Sequence, residues 1–380
     1  MKLKPKIAIS EHFEVIEDPR IDRTKRHKLI DILTIAICGV ICGADGWKTI
    51  EMYGCAKHEW LKTFLELPNG IPSHDTFARV FARINPQQFQ QCFLNWMKSV
   101  QKITEGEILA IDGKTLRGSY DTGSEKAAIH MINAWAVNNK LVMGQLKVDS
   151  KSNEITAIPE LLKVLEIAGC IVTIDAMGCQ KEIVKEIVRQ KADYVITLKE
   201  NQANLYKDVE ELFRIGMQRE FQGLEHSKYT IKDLGHGREE IRHYVMISGI
   251  KSLLDINSDW VNLNSVGMVE HIRKEKGETT VEIRYFISSL ANNAEKFATA
   301  VRGHWGVENS LHWVLDVALN EDECRIRKDN APENFAVLRQ IAVNLLGKEK
   351  RVKAGVKNKQ FLAGIDEKYL MRVLSQLSAT

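Results

Sequence analysis

"ILAIDGKTLRGS" (Ile108–Ser119) sets a four-residue apolar run of strand character before an aspartate, then a glycine and two basic residues. A carboxylate left unpaired inside a sheet carries a large desolvation cost, so Asp112 belongs at an exposed strand end or opposite a cation. The pattern returns at "CIVTIDAMG", where Ile171 to Ile174 lead into Asp175 and a glycine follows at Gly178. If these strands are neighbours, two carboxylates meet at one edge of the sheet. Like charges in that position raise each other's pKa unless a cation intervenes, and a divalent metal is the usual one. Magnesium suits such a place, because it takes oxygen ligands and needs only one or two carboxylates besides water and substrate phosphate. Paired turn aspartates give the same pattern, so a third acid is needed.

The third candidate is Glu308, in "RGHWGVENSLHWVLDVALNEDE". On a helix His304, Glu308 and His312 share a face at intervals of four, with Asp316 one turn further. Two histidines flanking a glutamate raise zinc as an alternative. The HExxH arrangement is missing, and eight residues between the histidines is long for one ion, which disfavours it. Trp305 and Trp313 are expected to dock this helix on the sheet.

Working outward, the organisation is helical first. Residues 11 to about 103 hold "HKLIDILTIAICGVICGADG", apolar on nearly every face, and two shorter helices split at Asn85-Pro86, with Ser73 and Asn85 as caps. From about residue 106 the period shortens to that of strands. "EILAIDGK", "IHMINAWAV" and "KLVMGQLKV" read as an antiparallel meander, followed by a β-α-β-α arrangement through "CIVTIDAM" and "DYVITLK". Residues 225–290 alternate in long, charge-rich runs, as an antiparallel insertion would. Helical periodicity resumes at about Asn293.

Composition sets the class. The chain has 380 residues, 27% charged and 44% hydrophobic, enough for a large core. A net charge of +3 does not by itself declare a nucleic-acid binder. Basic residues are instead clustered at Arg20, Arg23, Lys25, Arg26 and Lys28, and again at Lys348, Lys350, Arg351, Lys353, Lys357 and Lys359. Such runs serve either as solvated faces or as phosphate contacts. Seven cysteines without a CxxC pair read as reduced and buried. Met1 to Ser10 lacks the apolar core of a signal peptide, and Ile32 to Gly43 is too short to span a bilayer, so a cytoplasmic location is expected.

Taken together, "IDGKTLRGS", "VTIDAMGCQ" and "RGHWGVENSLHWVLDVALNEDE" resemble the DDE transposases of bacterial insertion sequences, in the H-repeat-associated branch. The opening "HFEVIEDPRIDRTKRHKLIDIL" resembles that branch's helical N-terminal segment. The likeness spans nearly the whole chain and is weakest beyond about residue 345. It implies an α/β (α+β) fold: a ribonuclease-H-like catalytic core with an antiparallel β insertion, preceded by an α-helical N-terminal domain. The implied boundaries are 1–104 for the helical domain, 105–222 for the first part of the core, 223–292 for the insertion, 293–345 for the catalytic helix, and 346–380 for a basic tail and helix.

Residue by residue, the resemblance implies Asp112, Asp175 and Glu308 as the catalytic and metal-binding acids, with Mg²⁺ as cofactor and Mn²⁺ as a substitute. Two such ions about 3.5–4 Å apart would serve cutting of the element's ends and joining of the 3′-hydroxyls to target DNA. Related enzymes carry a Tyr-x2-Arg-x3-Glu-x6-Lys signature around the glutamate. Here Val301, His304 and Leu315 replace its tyrosine, arginine and lysine, so the handling of the terminal phosphate departs from that pattern. Lys114 and Arg117, on the turns after Asp112, are expected to meet DNA phosphates, although ordinary hairpin charges read alike. Lys199 and Asn201 after "DYVITL", Arg238 in the insertion, and Arg302 and His304 near Glu308 are further expected DNA contacts. Arg23, Lys25 and Arg26 are N-terminal ones. Expected partners are double-stranded DNA, as inverted-repeat ends and target, and a second copy of the chain. A metal-dependent nuclease of the same fold without strand transfer, and a catalytically decayed DNA-binding remnant, are the rival readings.

Overall fold

The computed structural model describes residues 8–100, 104–120, 127–148, 153–235, 237–252 and 259–377. Residues 1–7, part of the segment read above as lacking an apolar leader, lie outside them. Six helices come first: α1 (Ala8–Phe13), α2 (Leu29–Ile41), α3 (Trp47–Ala56), α4 (His58–Leu61), α5 (His74–Arg83) and α6 (Pro86–Val100). Helix α2 is apolar on every face and is accordingly buried from Asp31 to Ile41. It stops where Gly43 takes a positive φ of 95°, a conformation that favours glycine after a helix end. Asn85 caps α6 by accepting from the Gln88 N–H at 3.0 Å, whereas Ser73 makes no cap bond to α5.

The strands and helices that follow are β1 (Ile108–Leu116), β2 (Ile129–Ala136), β3 (Leu141–Lys147), α7 (Glu154–Val164), β4 (Ile171–Ile174), α8 (Lys181–Arg189), β5 (Asp193–Leu198) and α9 (Ala203–Gln218). Then come β6 (His226–Gly235), β7 (Arg238–Ser248), β8 (Ser265–Glu275), β9 (Glu278–Ser288), α10 (Ala294–Gly306), a π-helical stretch over Val307–His312, α11 (Trp313–Val317), α12 (Ala331–Lys348), α13 (Val356–Ile365) and α14 (Glu367–Leu374).

All nine strands join one mixed sheet in the order β3-β2-β1-β4-β5-β9-β8-β7-β6. Strands β1 to β3 are an antiparallel meander, and β1, β4 and β5 run parallel through the crossover helices α7 and α8. Strand β4 is buried at every position, as a parallel strand covered on both faces must be. The expected insertion is antiparallel, and it extends the core sheet through the β5–β9 pair. Edge strand β6 is largely exposed and carries Lys228, Lys232 and Asp233, charges that discourage pairing with another chain.

Parity along the strands fixes which helix lies on which face. Gly144 of β3 packs against Leu161 of α7, whereas Asn133 and Gln145 accept hydrogen bonds from Gln340 of α12 on the opposite face. Helix α10 shares that second face. It covers Ile171, Val195, Tyr244 and Phe286 with Phe297 and Ala298, and a Cβ on Gly267 would lie 2.4 Å from the Phe297 ring. The C-terminal helices fold back. Helix α12 packs on α2, α5, α6 and β3, and α13 and α14 pack on it.

This packing corrects part of the charge reading. Lys359, expected among the basic cluster, is buried and donates to the Leu346 and Glu349 carbonyls. Arg20 is spent on Asp18 and the His27 carbonyl, Lys25 on Asp18 and Asp22, and Lys28 on Glu66. Arg23 and Arg26 are exposed on the approach to α2. The cysteines are free thiols; Cys38, Cys92, Cys170 and Cys179 are buried as expected, whereas Cys42 and Cys324 are half-buried and Cys55 is exposed. No helix among the described residues is long and apolar enough to cross a membrane.

Candidate active site

Strand β1 does not break at Gly113 as its sequence suggests; it runs on to Leu116, paired with β2. What ends beside Asp112 is its other neighbour. The parallel register Ala110↔Thr173 and Ile111↔Ile174 reaches the last residue of β4, so Asp112 and Asp175 come next along the two strands. Both share the parity of Thr173 and face the helix above. That helix approaches closely because Gly303 has no side chain: a Cβ there would lie 3.0 Å from Ile108. His304 Nδ1 is 3.1 Å from Thr173 Oγ1, and His312 Nδ1 is 3.6 Å from Asp112 Oδ2. Glu308 lies between these two contacts, in the π-helical stretch, and is exposed.

The electrostatics follow from this crowding. Burial pushes the Asp112 carboxyl up to about 7, and the charges of Asp175, Glu308 and Glu154 add to the rise against the Gly113 N–H that it accepts. Asp175 is exposed and accepts from the Met177 N–H at 3.1 Å, which shapes the turn after β4. Burial lowers His304, and it lowers His312 to about 4 with help from the Lys114 charge. Both rings are therefore neutral near pH 7. Among the described residues, no three His, Cys, Asp or Glu side chains stand close enough to hold a metal ion as placed.

Asp175, Lys199, Asn201, His304 and Glu308 line one cavity of about 810 Å³; Asp112, 3.6 Å from His312, is not part of its lining. Asn201 spends its amide on the Ala176 carbonyl at 2.7 Å, tying the loop after β5 to the loop that carries Asp175. Arg238 and Arg302 line an adjoining groove of about 750 Å³ together with Arg242, Arg273 and Arg284. These arginines are paired: Arg302 and Arg242 with Asp233, Arg238 with Glu240, Arg284 with Glu282. Glu282, Arg284 and Trp305 border both spaces. Arg23, Lys25 and Arg26 line neither.

Two expectations are corrected. Lys114 does not reach outward to phosphates. It points to the same face as Asp112, is 8% exposed, and its Nζ lies 2.7 Å from Asp316, 3.1 Å from Asp322 and 3.5 Å from Glu321. A buried ammonium needs such partners, and stripping them costs about 3–5 kcal/mol. Arg117 is the exposed one of the pair, 3.5 Å from Asp322. The second correction concerns Trp305 and Trp313, which are 39% and 58% exposed and do not dock the helix; Val307, Leu311 and Leu315 do that. Sequence reading missed Arg284, whose guanidinium sits 4.9 Å from the Trp305 ring, and the His130–Glu154 pair packed over Gly113. Strand alternation around "EIRYF" was the available signal for Arg284.

Residues 103–345 match the transposase DDE domain, and residues 10–97 match the DDE_Tnp_1-associated region. The "H repeat-associated putative transposase YhhI" of Escherichia coli K12 is 46% identical over 379 residues, covering 99% of each chain. The "Putative transposase YncI" of Escherichia coli O157:H7 is 42% identical, over 98% of this chain and 95% of its own. A solved piggyBac transposase, in a synaptic complex with hairpin DNA, aligns over 98% of this chain and 76% of its own, with 13% identity and a TM-score of 0.43. This chain belongs to the DDE transposase family, alongside H repeat-associated relatives.

Proposed function

We propose that the chain cuts DNA at the ends of an insertion sequence and joins the freed 3′-hydroxyls to target DNA, with Asp112, Asp175 and Glu308 as its three acids. One observation carries this reading: the β1–β4 register brings Asp112 and Asp175 side by side beneath the turn that bears Glu308. The strand order β3-β2-β1-β4-β5, with α7 and α10 on opposite faces, supports a ribonuclease-H-like core.

The donor set fits a hard divalent cation. All three donors are carboxylates, and Asp112 is destabilised as an anion by burial and like charge, which a cation would relieve. Held by those three residues, Mg²⁺ (or Mn²⁺) would supply Lewis acidity toward the attacking water or 3′-hydroxyl and toward the leaving 3′ oxygen. The chain's own residues do the rest. Lys199 is exposed at the end of β5 and supplies positive charge to a phosphate in the cavity. Asn201 keeps the Asp175 loop in place. His304, neutral and held by Thr173, stands where relatives of other branches carry arginine, so phosphate charge there is met by Lys199 and Arg284. Arg117, Arg238 and Arg302 extend the contact along the DNA, and the exposed Arg23 and Arg26 add non-specific phosphate affinity, Lys25 being held by Asp18 and Asp22. Two copies assemble on paired element ends, on the nucleoid DNA of the cytoplasm.

Glu308→Gln tests the assignment. It preserves size and helix propensity and removes one charge. Cleavage of element ends should fall by orders of magnitude while end binding and melting temperature hold. Cleavage by the wild type should need Mg²⁺ or Mn²⁺, fail with Ca²⁺, and stop on exhaustive chelation. Wild-type rates in Glu308→Gln would remove it from the triad, and cut ends that never join target DNA would reduce the activity to that of a nuclease.

A further inference from the structure

Lys114 lies two residues beyond Asp112 on the same face of β1, roughly 7 Å along the strand. Its ammonium is bonded to Asp316, eight residues beyond Glu308 on the same uninterrupted helical run, and to Asp322 in the segment that follows. One strand and one helix thus carry, in parallel, a pair of acids and a buried ion pair. The ion pair does not stand alone. Glu321 is 3% exposed, contacts Lys114 on one oxygen, and lies 3.9 Å from Arg339 of α12 on the other. Arg339 also donates to the Leu319 carbonyl at 3.2 Å, and Arg117 reaches Asp322. Three carboxylates therefore face three cations drawn from β1, the turn after it and α12.

The backbone around the cluster is equally close. Arg327 donates to the Gly118 carbonyl at 3.1 Å, and a Cβ at Gly118 would stand 2.1 Å from the Cys324 carbonyl oxygen. So the segment after α11 is pressed onto the end of β1 both by charge and by contact. We propose that Lys114, with Glu321 and Arg339 behind it, is a positioning residue: a buried clamp that fixes the height of the Glu308 helix over β1, and so the separation of Glu308 from Asp112. The inference rests on the reading of those two residues as catalytic acids. It assigns Lys114 no contact with DNA.

The geometry favours this over plain stabilisation because the clamp joins the two elements that carry acids, on the C-terminal side of Glu308, where His312 also stands 3.6 Å from Asp112. A slip of an ångström between reacting groups can cost about 100-fold in rate, so the clamp's value lies in distance. It also explains why three acids follow the catalytic turn at Asp316, Glu321 and Asp322: they are fixed points for one lysine.

The test compares Lys114→Met, Lys114→Arg and the neutral network Lys114→Met/Asp316→Asn/Glu321→Gln in the full chain. The triple variant guards against a Lys114→Met that fails to fold, since it leaves fewer unpaired carboxylates. The expected result is a kcat for end cleavage lowered about 30-fold or more in Lys114→Met and in the triple variant, with KM unchanged and Lys114→Arg recovering most of the loss. End binding should keep its affinity and its salt slope. Amide exchange across residues 308–317 should quicken in both methionine variants while the remaining sheet stays protected.

Wild-type kcat in a folded triple variant would overturn the clamp. So would weaker binding with a salt slope shallower by about 1, the mark of a lost phosphate contact. A wild-type chain that cleaves no DNA would instead overturn the catalytic reading. Amide exchange then judges the clamp by itself: unchanged protection at 308–317 in Lys114→Met rejects it, and lost protection there supports it.

Discussion

Gly118 has no side chain, and the structure leaves no room for one. A Cβ there would meet two backbone carbonyls, Cys324 O at 2.1 Å and Asp322 O at 2.9 Å, neither of which can rotate away. Gly118→Ala should therefore cost about 1–3 kcal/mol by overpacking. Gly355→Ala, with nothing within 4 Å, should stay within about 0.5 kcal/mol. Urea unfolding of both variants checks the contrast, and equal midpoints would mean that the segment after α11 sits further from β1 than it does here. At this scale the acids were legible because each aspartate follows an apolar run, a local pattern. Lys114 was not, since its partners Asp316 and Asp322 lie 202 and 208 residues away, and nothing local separates a buried lysine from a solvated one.

Among the elements, the helix bearing Glu308 shows how a sequence pattern can carry more than its first reading. Gly303, Val307, Leu311 and Leu315 are buried at strict intervals of four, and His304, Glu308, His312 and Asp316 follow them one residue on. Four residues of an α-helix turn through about 400°, so a face repeated every fourth residue drifts by about 40° per step. Over three steps the drift would carry Leu315 away from the sheet. The π-helical stretch at Val307–His312 underwinds the helix and cancels that drift. The spacing of four was visible in the sequence; its cost in helix type was not, because the pull comes from the sheet below. Deleting Asn309, which is exposed in the wide turn, should let the run relax to an α-helix. Circular dichroism and melting temperature should change little, whereas cleavage should fall about 100-fold as Glu308 rotates relative to Asp112. Retained cleavage would show that the wide turn is incidental to the site.

For the whole molecule, the two ends of the sequence build one body. The helical lobe read as residues 1–104 is closed by α12, whose residues from Asn334 to Leu346 are all buried although Asn334, Arg339, Gln340 and Asn344 are polar. In the fold those polar groups are its fastenings. Asn334 donates to the Phe81 and Ile84 carbonyls at the end of α5, Asn344 holds both backbone groups of Val142, and Gln340 bonds Asn133 and Gln145. Phe335 stacks edge-on against Trp47 at 5.1 Å. The apolar side chains that α12 buries, Phe335, Val337, Leu338, Ile341, Val343, Leu345 and Leu346, contribute on the order of 10–20 kcal/mol, comparable with the 5–15 kcal/mol stability of a whole domain. A chain ending at Asn330 should consequently keep helical far-UV dichroism, lose its near-UV signal and bind ANS, the marks of a lobe without fixed packing. Supplying residues 331–380 on a separate chain should restore the near-UV signal, and with it the salt-dependent DNA binding of the exposed Arg23 and Arg26. Sharp two-state unfolding of residues 1–330 alone would show instead that the N-terminal helices hold their own core and that α12 only leans against it.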